Sequence, residues 1–225
     1  MAKTRKKANR RARVLIVDDH PAVREALALR VNRQSDLEVC GEAEDTGDAL
    51  KVAARTQPDV AVIDISLKTG NGLDLIKRLK ARNAALRMLV WSMHSESLYA
   101  ERTLRAGALG YITKEQATDQ IVAAIRQVLS GKVFLSPAMT EKLLGRVVGE
   151  GGKIDERQGE DRLSDREVEV FQSIGRGKST TQIAADMHVS PKTVETYRVR
   201  IKDKLGCTTL AELIQRAVQW VDRKR

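Results

Sequence analysis

Three aspartates, a serine and a lysine each stand at the end of a short apolar run. Asp18 and Asp19 follow RVLIV, Asp64 follows VAVI, Ser92 ends LRMLVWS, and Lys114 follows LGYIT. If these runs are strands of one parallel sheet, the residues converge at its carboxyl edge, where such sheets bind ligands. Three carboxylates at one site repel one another unless a cation lies between them, and carboxylate oxygens are suitable ligands for Mg²⁺. With a hydroxyl and an ammonium group beside them, they can stabilise a transferring phosphoryl group, one aspartate being the nucleophile.

The elements that must position these residues form a regular alternation. Between residues 13 and 130, five short apolar runs alternate with five amphipathic stretches, which predicts a strand followed by a helix five times. Runs that are apolar throughout are typical of strands buried on both faces, and these require a parallel sheet covered by helices. We therefore predict an α/β doubly wound, five-stranded parallel sheet for this segment.

Residues 13 to about 130 resemble the receiver domains of two-component response regulators. The resemblance depends on VLIVDDH, on VIDISL with Gly72 eight residues after the aspartate, on the serine that ends VWS, and on GYITK. It implies a flavodoxin-like fold and the following roles: Asp64 as phosphoacceptor, Mg²⁺ held by Asp18, Asp19, Asp64 and the backbone carbonyl of Ser66, Lys114 at the phosphoryl group, and Ser92 with Tyr111 as the switch pair. The family usually has a proline where this chain has Lys68, which leaves the shape of that loop open.

From residue 163 onward the apolar pattern is helical only. Ser164 precedes Glu167 by three residues, which is the spacing of a capping box, and three more helices are predicted near Thr180 to Met187, Pro191 to Leu205 and Leu210 to Val221. The segment STTQIAADMHVSPKTVETYRVRIKDKLG has the form of a helix, a short turn and a second helix. We therefore predict an all-α, four-helix helix-turn-helix domain.

Residues 163 to 225 resemble the LuxR-type domain of the NarL/FixJ family of regulators, in a match that runs from LSDREVEVF to the end of RIKDKLG and beyond. The resemblance implies that the helix from Pro191 to Leu205 reads DNA, with Glu195, Thr196 and Val199 nearest the bases and Lys192, Arg198 and Arg200 at phosphates. It also implies a dimerisation role for the last helix, through Leu210, Leu213, Ile214, Ala217 and Val221. Trp220 fits that face or the core equally well.

The distribution of charge agrees with a polyanionic partner. The net charge is +10, and the excess lies in residues 1–13, with seven basic residues and no acidic ones, and in residues 163–225, with twelve against eight. We predict a disordered basic tail (1–12), a receiver domain (13–130), a linker with a short helix beginning near Ser136 (131–162) and the DNA-binding domain (163–225). No apolar run can span a membrane, and Cys40 and Cys207 lie far apart, so we expect a cytoplasmic protein without disulfide or zinc site.

Together these features predict a DNA-binding transcriptional regulator that a partner histidine kinase activates by phosphorylating Asp64. We expect double-stranded DNA as a partner and a homodimer on phosphorylation or DNA binding. RNA polymerase is a further candidate partner, and we expect no enzymatic activity.

Two alternatives stay open. A Mg²⁺-dependent phosphatase with an aspartate nucleophile usually needs a second catalytic aspartate two residues later, where this chain has Ser66. A receiver that acts without phosphorylation, purely as an interaction module on a DNA-binding regulator, is the other alternative. Lys68 at the usual proline position is the feature that keeps it open.

Overall fold

The computed structural model describes residues 10–115, 120–149 and 159–222, and the chain forms two compact units, Met1–Glu141 and Lys142–Arg225. Residues 1–9, most of the predicted basic tail, and residues 150–158, the middle of the predicted linker, lie outside the described residues. Within the described ranges, no helix is both long enough and apolar enough to cross a membrane.

The first unit contains a five-stranded sheet in which every neighbouring pair of strands is parallel. Its strands lie in the order β2 (Leu37–Ala43), β1 (Ala12–Val17), β3 (Val60–Ile63), β4 (Arg87–Ser92) and β5 (Gly110–Thr113). This confirms the predicted sheet. The central strand is apolar throughout because helices cover both of its faces, and none of its residues is more than 1% exposed.

Each strand is followed by a helix, as the alternation of apolar and amphipathic segments predicts. Asp45 accepts a hydrogen bond from Asp48 N as the cap of the helix that begins at Thr46, and Asn71 accepts one from Leu73 N as the cap of the helix that begins at Gly72. These caps end the loops that lead out of β2 and β3, so they fix the loops at the carboxyl edge of the sheet. The helices are α1 (Pro21–Asn32), α2 (Thr46–Thr56), α3 (Gly72–Arg82), α4 (Glu96–Ala106) and α5 (Gln120–Leu129).

After α5 the chain stays on the edge of the sheet for several residues. Tyr111 N donates to Phe134 O at 2.9 Å, and Phe134 N donates to Leu109 O at 2.9 Å. Ser136 then caps α6 (Pro137–Gly149), which has 13 residues and is longer than the short helix we expected. Because the division into two units falls inside α6, the domain limits at residues 130 and 163 stay predictions.

The second unit is helical, as predicted, and packs around Phe171. The Phe171 and Trp220 rings lie 5.3 Å apart between centroids, and Trp220 is 8% exposed, so this tryptophan belongs to the core. Ser164 and Glu167 form the predicted capping box at the start of α7. The elements are a 3₁₀ helix (Gly159–Arg162), α7 (Asp165–Gly175), α8 (Thr180–Asp186), α9 (Pro191–Leu205) and α10 (Leu210–Asp222).

Candidate functional site

The pocket at the carboxyl edge of the sheet brings together four of the residues selected from the strand ends. Lys114 Nζ lies 2.5 Å from Asp18 Oδ2 and 2.5 Å from Asp64 Oδ2. Ser92 Oγ donates a hydrogen bond to the other oxygen of Asp64, Oδ1, at 2.5 Å. Asp64 is 3% exposed and Ser92 is fully buried. Asp64 is therefore the centre of the pocket, with a cation at one carboxylate oxygen and a hydroxyl donor at the other.

Asp19 lies at the outer side of this pocket, beside His20. His20 Nδ1 is 2.7 Å from Asp19 Oδ1, and His20 N donates to Asp18 Oδ1 at 2.9 Å. Asp18, Asp19, His20 and Asp64 each offer one ligand atom within 4.8 Å of the others. Three carboxylates against one lysine leave an excess of negative charge, so this acidic cluster fits a cation. His20 was not among the predicted ligands, although its position directly after the two aspartates was a signal.

The charge states in the pocket depend on one another. Burial raises the pKa of the Asp18 carboxyl, and the neighbouring Lys114 ammonium opposes that rise. Burial also disfavours the charged form of Lys114, but Asp64 and Asp18 outweigh it and raise the pKa of this lysine. Lys114 therefore stays an ammonium ion at neutral pH, held beside the carboxylate of Asp64.

Two contacts join the loops around the pocket. Tyr111, which burial keeps as a neutral phenol by raising its pKa, donates its hydroxyl to His94 O at 2.8 Å. His94 Nε2 is in turn 2.8 Å from Ser66 Oγ, so the loops after β3 and β4 are connected. Nothing in the sequence pattern indicated this contact, since neither loop has a periodic structure. Ser92 and Tyr111, the predicted switch pair, thus lie close to the same loop.

The loop after β3 has little freedom near Asp64. A Cβ atom at position 72 would overlap the backbone carbonyl oxygen of Asp64, so only glycine fits there. Lys68, at the position where a proline was expected, forms an exposed ion pair with Glu44 at 3.0 Å. This contact ties the loop after β3 to the loop after β2 without entering the pocket.

The second candidate site is the outer face of α9. Ser190 caps the helix and Pro191 is its first residue, while Val194 and Ile201 are fully buried on the inner face. Tyr197, predicted as part of the buried stripe, is half-buried. The predicted DNA-contacting residues that are exposed are Lys192, Glu195, Thr196, Val199 and Arg200.

Arg198 differs from the other predicted phosphate contacts. Its side chain is 15% exposed and points back to α8, where Nη1 donates to Thr180 Oγ1 at 2.6 Å and to Glu195 Oε1 at 3.0 Å. Helical spacing placed Arg198 beside the outer face but carried no information on where its long side chain would turn. Arg198 is thus the one predicted DNA contact that lies mostly buried.

The apolar residues of α10 divide between two faces. Leu213 and Ala217 are buried in the core together with Trp220. Leu210 and Ile214 are 47% and 40% exposed. The face that sequence reasoning assigned to dimerisation is therefore only partly open to a partner.

Two models of known protein families match the chain. The model of the response regulator receiver domain matches residues 14–126, the segment that contains the acidic pocket. The model of the bacterial regulatory proteins of the luxR family matches residues 161–217, the segment that contains α7 to α9 and most of α10. The fold and these matches define a receiver domain followed by a LuxR-type DNA-binding domain.

Known regulators resemble the chain over nearly its whole length. A putative transcriptional regulator of Pseudomonas aeruginosa is 35% identical over 203 residues, covering 90% of this chain and 95% of that protein. The putative positive transcription regulator of virulence factors BvgA of Bordetella pertussis is 35% identical over 205 residues, 91% of this chain and 96% of BvgA. RcsB of Salmonella enterica serovar Typhimurium, solved bound to the promoter rprA in the presence of the phosphomimetic BeF3-, has a TM-score of 0.59 and 25% identity, over 91% of this chain and 97% of that one.

The chain belongs to the NarL/FixJ family of response regulators, and it is a transcriptional regulator with a receiver domain and a LuxR-type DNA-binding domain. These relatives do not favour the alternative of a receiver that acts without phosphorylation.

Proposed function

We propose that a sensor histidine kinase phosphorylates Asp64 of this regulator with the help of Mg²⁺, and that the phosphorylated protein binds double-stranded DNA as a homodimer through α9. The observation that carries the proposal is the placement of Lys114 Nζ and Ser92 Oγ, each 2.5 Å from a different carboxylate oxygen of Asp64. A nucleophile flanked by an ammonium and a hydroxyl donor suits phosphoryl transfer, in which positioning and charge stabilisation do most of the catalysis.

Asp64 is the nucleophile in this mechanism. One of its oxygens forms a bond to phosphorus while the bond from phosphorus to the donor breaks, and the leaving group keeps that electron pair. Lys114, now shared between Asp18 and Asp64, pairs with an oxygen of the transferred group. Asp18, Asp19, Asp64 and the backbone carbonyl of Ser66 would hold Mg²⁺, which neutralises charge on the phosphoryl oxygens.

Ser92 and Tyr111 form the switch pair. The Ser92 hydroxyl donates to Asp64 Oδ1 before phosphorylation. Phosphorylation converts the charged carboxylate into an uncharged acyl group, so the charged phosphoryl oxygens become the stronger acceptors for the same hydrogen. If Ser92 moves towards that oxygen, the loop after β4 moves with it. That loop includes the His94 carbonyl, to which the Tyr111 hydroxyl donates a hydrogen bond. Movement of the loop therefore affects Tyr111, which lies in β5.

The outer face of α9 supplies the DNA contacts. Lys192 and Arg200 are exposed and suit phosphates, while Glu195, Thr196 and Val199 suit base edges. A single helix-turn-helix contacts few phosphates, so tight binding requires two copies on two half-sites about one helical turn apart. RcsB was solved bound to a promoter in the presence of a phosphomimetic, which supports DNA binding by a phosphorylated regulator of this kind. RNA polymerase stays a candidate partner.

The phosphorylation step is tested with acetyl phosphate as donor. We expect one phosphoryl group per chain when Mg²⁺ is present and none when a chelator removes it. Asp64→Asn should abolish labelling, whereas Asp74→Asn, which changes an exposed aspartate of α3, should leave it unchanged. Stoichiometric labelling of Asp64→Asn at another residue would contradict the assignment.

The coupling to DNA is tested with beryllofluoride, which mimics the phosphoryl group. Sedimentation should show more dimer with beryllofluoride than without it, and DNA affinity should rise in parallel. The Asp64→Asn variant is the control, and it should respond to beryllofluoride in neither measurement. An equal monomer fraction of the unmodified chain with and without beryllofluoride would argue against activation by dimerisation.

A further inference from the structure

Thr180 at the start of α8 and two residues of α9, Glu195 and Arg198, form a hydrogen-bonded triad. Thr180 Oγ1 donates to Glu195 Oε1 at 2.8 Å. Arg198 Nη1 donates to Thr180 Oγ1 at 2.6 Å and to Glu195 Oε1 at 3.0 Å. The three contacts close a triangle that joins the first helix of the helix-turn-helix motif to the second.

The setting of Arg198 is unlike that of a phosphate contact. Its side chain is 15% exposed, and in the part of the chain that the structure describes its Nε is buried without a hydrogen-bond partner. Lys192 and Arg200, by contrast, are exposed on the same helix. To reach a phosphate, the Arg198 guanidinium would have to give up its hydrogen bonds to Thr180 and Glu195. Breaking hydrogen bonds that involve charged groups costs free energy.

Glu195 is an exposed residue, with 55% of its side chain accessible, but one oxygen of its carboxylate is held in the triad. Both donors bond to Oε1, whereas Oε2 takes part in neither bond. The Thr180 hydroxyl, and after it the Arg198 guanidinium, hold the pKa of the Glu195 carboxyl below its usual range. The carboxylate thus stays charged and is restrained in direction before DNA arrives, which lowers the entropy cost of ordering it on binding.

We propose that Arg198 is a positioning residue for base recognition, which acts with Thr180 to orient the carboxylate of Glu195 towards the amino group of a cytosine. This role rests on the proposed binding of DNA through α9, and it takes Arg198 out of the set of phosphate contacts. Oε2 is then the acceptor, and a cytosine N4 amino group in the major groove is the donor that a carboxylate matches. A restrained acceptor discriminates between bases, because a wrong base leaves it desolvated and unpaired.

The test compares variants that remove parts of the triad in the full-length chain. Arg198→Met keeps the aliphatic stem but loses every donor. Thr180→Val keeps the shape but loses the hydroxyl, whereas Thr180→Ser keeps the hydroxyl and loses only a methyl group. Each protein, in beryllofluoride, selects from one pool of randomised duplex DNA, and the affinity for the preferred site and its single-base variants is measured at several salt concentrations. Arg200→Ala serves as the matched control for loss of a phosphate contact.

We expect Arg198→Met and Thr180→Val to lose preference for cytosine at one position of each half-site by roughly 5- to 100-fold. In both variants, the affinity for unrelated duplexes and its salt dependence should stay unchanged. Thr180→Ser, which retains the hydroxyl, should keep the preference for cytosine. Glu195→Ala should lose the same preference, and adding Arg198→Met to it should cost nothing further, because both changes remove one interaction.

Two results would overturn the positioning role. Arg198 would instead be a phosphate contact if Arg198→Met lowered the affinity equally for all sequences and reduced the salt slope as Arg200→Ala does. A cytosine preference that survives in Arg198→Met would also overturn it. If Arg198→Met does not fold, the comparison of Thr180→Val with Thr180→Ser decides in the same way.

A measurement without DNA separates the triad from the DNA-binding proposal. In the free protein, Arg198→Met and Thr180→Val should each move the pKa of the Glu195 carboxyl upwards, as followed by NMR titration; Thr180→Ser should not. No movement in either variant would overturn the triad itself. If the pKa moves but the unmodified chain selects no sequence from the pool, the proposed DNA-binding function fails instead.

Discussion

The pocket of the first unit and the outer face of α9 in the second use charged residues in opposite settings. In the pocket, the side chains of Asp18, Asp64 and Lys114 are 2%, 3% and 7% exposed and lie in direct contact. On α9, Lys192 and Arg200 are exposed. A buried charge depends on its partners for its protonation state, whereas an exposed charge is screened by water and salt. The difference implies large, coupled effects in the pocket and small, independent effects at Lys192 and Arg200.

Removing the buried ammonium group of Lys114 should have the largest effect, and this effect is on the stability of the first unit. Lys114→Met leaves the carboxylates of Asp18 and Asp64 facing each other, and we expect it to destabilise the first unit by about 3–5 kcal/mol in a chelator. Mg²⁺ should restore more stability to this variant than to the unmodified chain. The penalty should shrink at lower pH, since Asp18, whose pKa burial already raises, then takes up a proton.

Urea unfolding of the full chain measures this penalty, with Lys132→Met, a change at an exposed lysine of the same unit, as the control. If both variants were equally stable without metal, the buried charges of the pocket would be no more coupled than exposed charges. The contrast between the pocket and α9 would then be wrong.

Glu167 tests whether burial, rather than membership of the first unit, causes strong coupling. It is a buried carboxylate of the second unit, and Lys204 Nζ lies 2.6 Å away. Burial opposes ionisation, but the bonds from Lys204 and Ser164 outweigh it and lower the pKa of the carboxyl. The charged form therefore stabilises the folded state above the usual pKa, 4.5, and this contribution is lost as the pH falls through the lowered value.

We expect Glu167→Gln to cost about 1–2 kcal/mol at neutral pH and almost nothing in acid. The matched control is Glu212→Gln, since Glu212 accepts similar cap-like hydrogen bonds at an exposed position. NMR signals of the second unit during urea unfolding at several pH values would measure both. A cost for Glu167→Gln that did not vary with pH would exclude the ion pair as its cause.

Arg200→Ala should have a smaller effect that is the same for every sequence. If this exposed guanidinium neutralises one phosphate, its loss lowers the slope of log affinity against log salt by about 0.9 per monomer. Binding to a cognate duplex and to a scrambled duplex at several salt concentrations measures the slope. Arg82→Ala, at an exposed arginine of the first unit, should leave it unchanged. A selective loss at the cognate duplex would instead make Arg200 a base contact.

Val199→Ala should have the smallest effect of these variants, a slight loss of affinity for DNA. Val199 is 54% exposed, and its methyl groups suit the C5 methyl group of a thymine, so the change should cost less than about 1 kcal/mol. Replacing that thymine by uracil in the DNA should weaken the unmodified chain by a similar amount and leave Val199→Ala unaffected. If the variant also lost affinity for the uracil duplex, Val199 would have a role other than this methyl contact.

The pocket could be predicted from the sequence almost in full, whereas the helical surface could be predicted only in part. Strand ends place Asp64, Ser92 and Lys114 at one edge because a parallel sheet aligns its carboxyl ends. On α9, periodicity gives the direction in which Arg198 leaves the helix, but the fold of its long side chain onto Thr180 depends on another helix. The contact between Ser66 and His94 was equally hidden, since it joins two loops without periodic structure.

Gly72 allows the start of α3 to pack directly against the end of β3, so that the two segments form one rigid unit. Its backbone lies against the Asp64 carbonyl, where a side chain would overlap, and Gly72 N donates to Ile65 O at 2.9 Å. On the opposite side, Ser92 and Lys114 reach Asp64 only through side-chain hydrogen bonds, which can exchange partners without moving β3. The surroundings of Asp64 therefore differ in stiffness: they are rigid towards α3 and compliant at the side chains of Ser92 and Lys114. A chemical change at Asp64 should displace the compliant side and leave α3 in place.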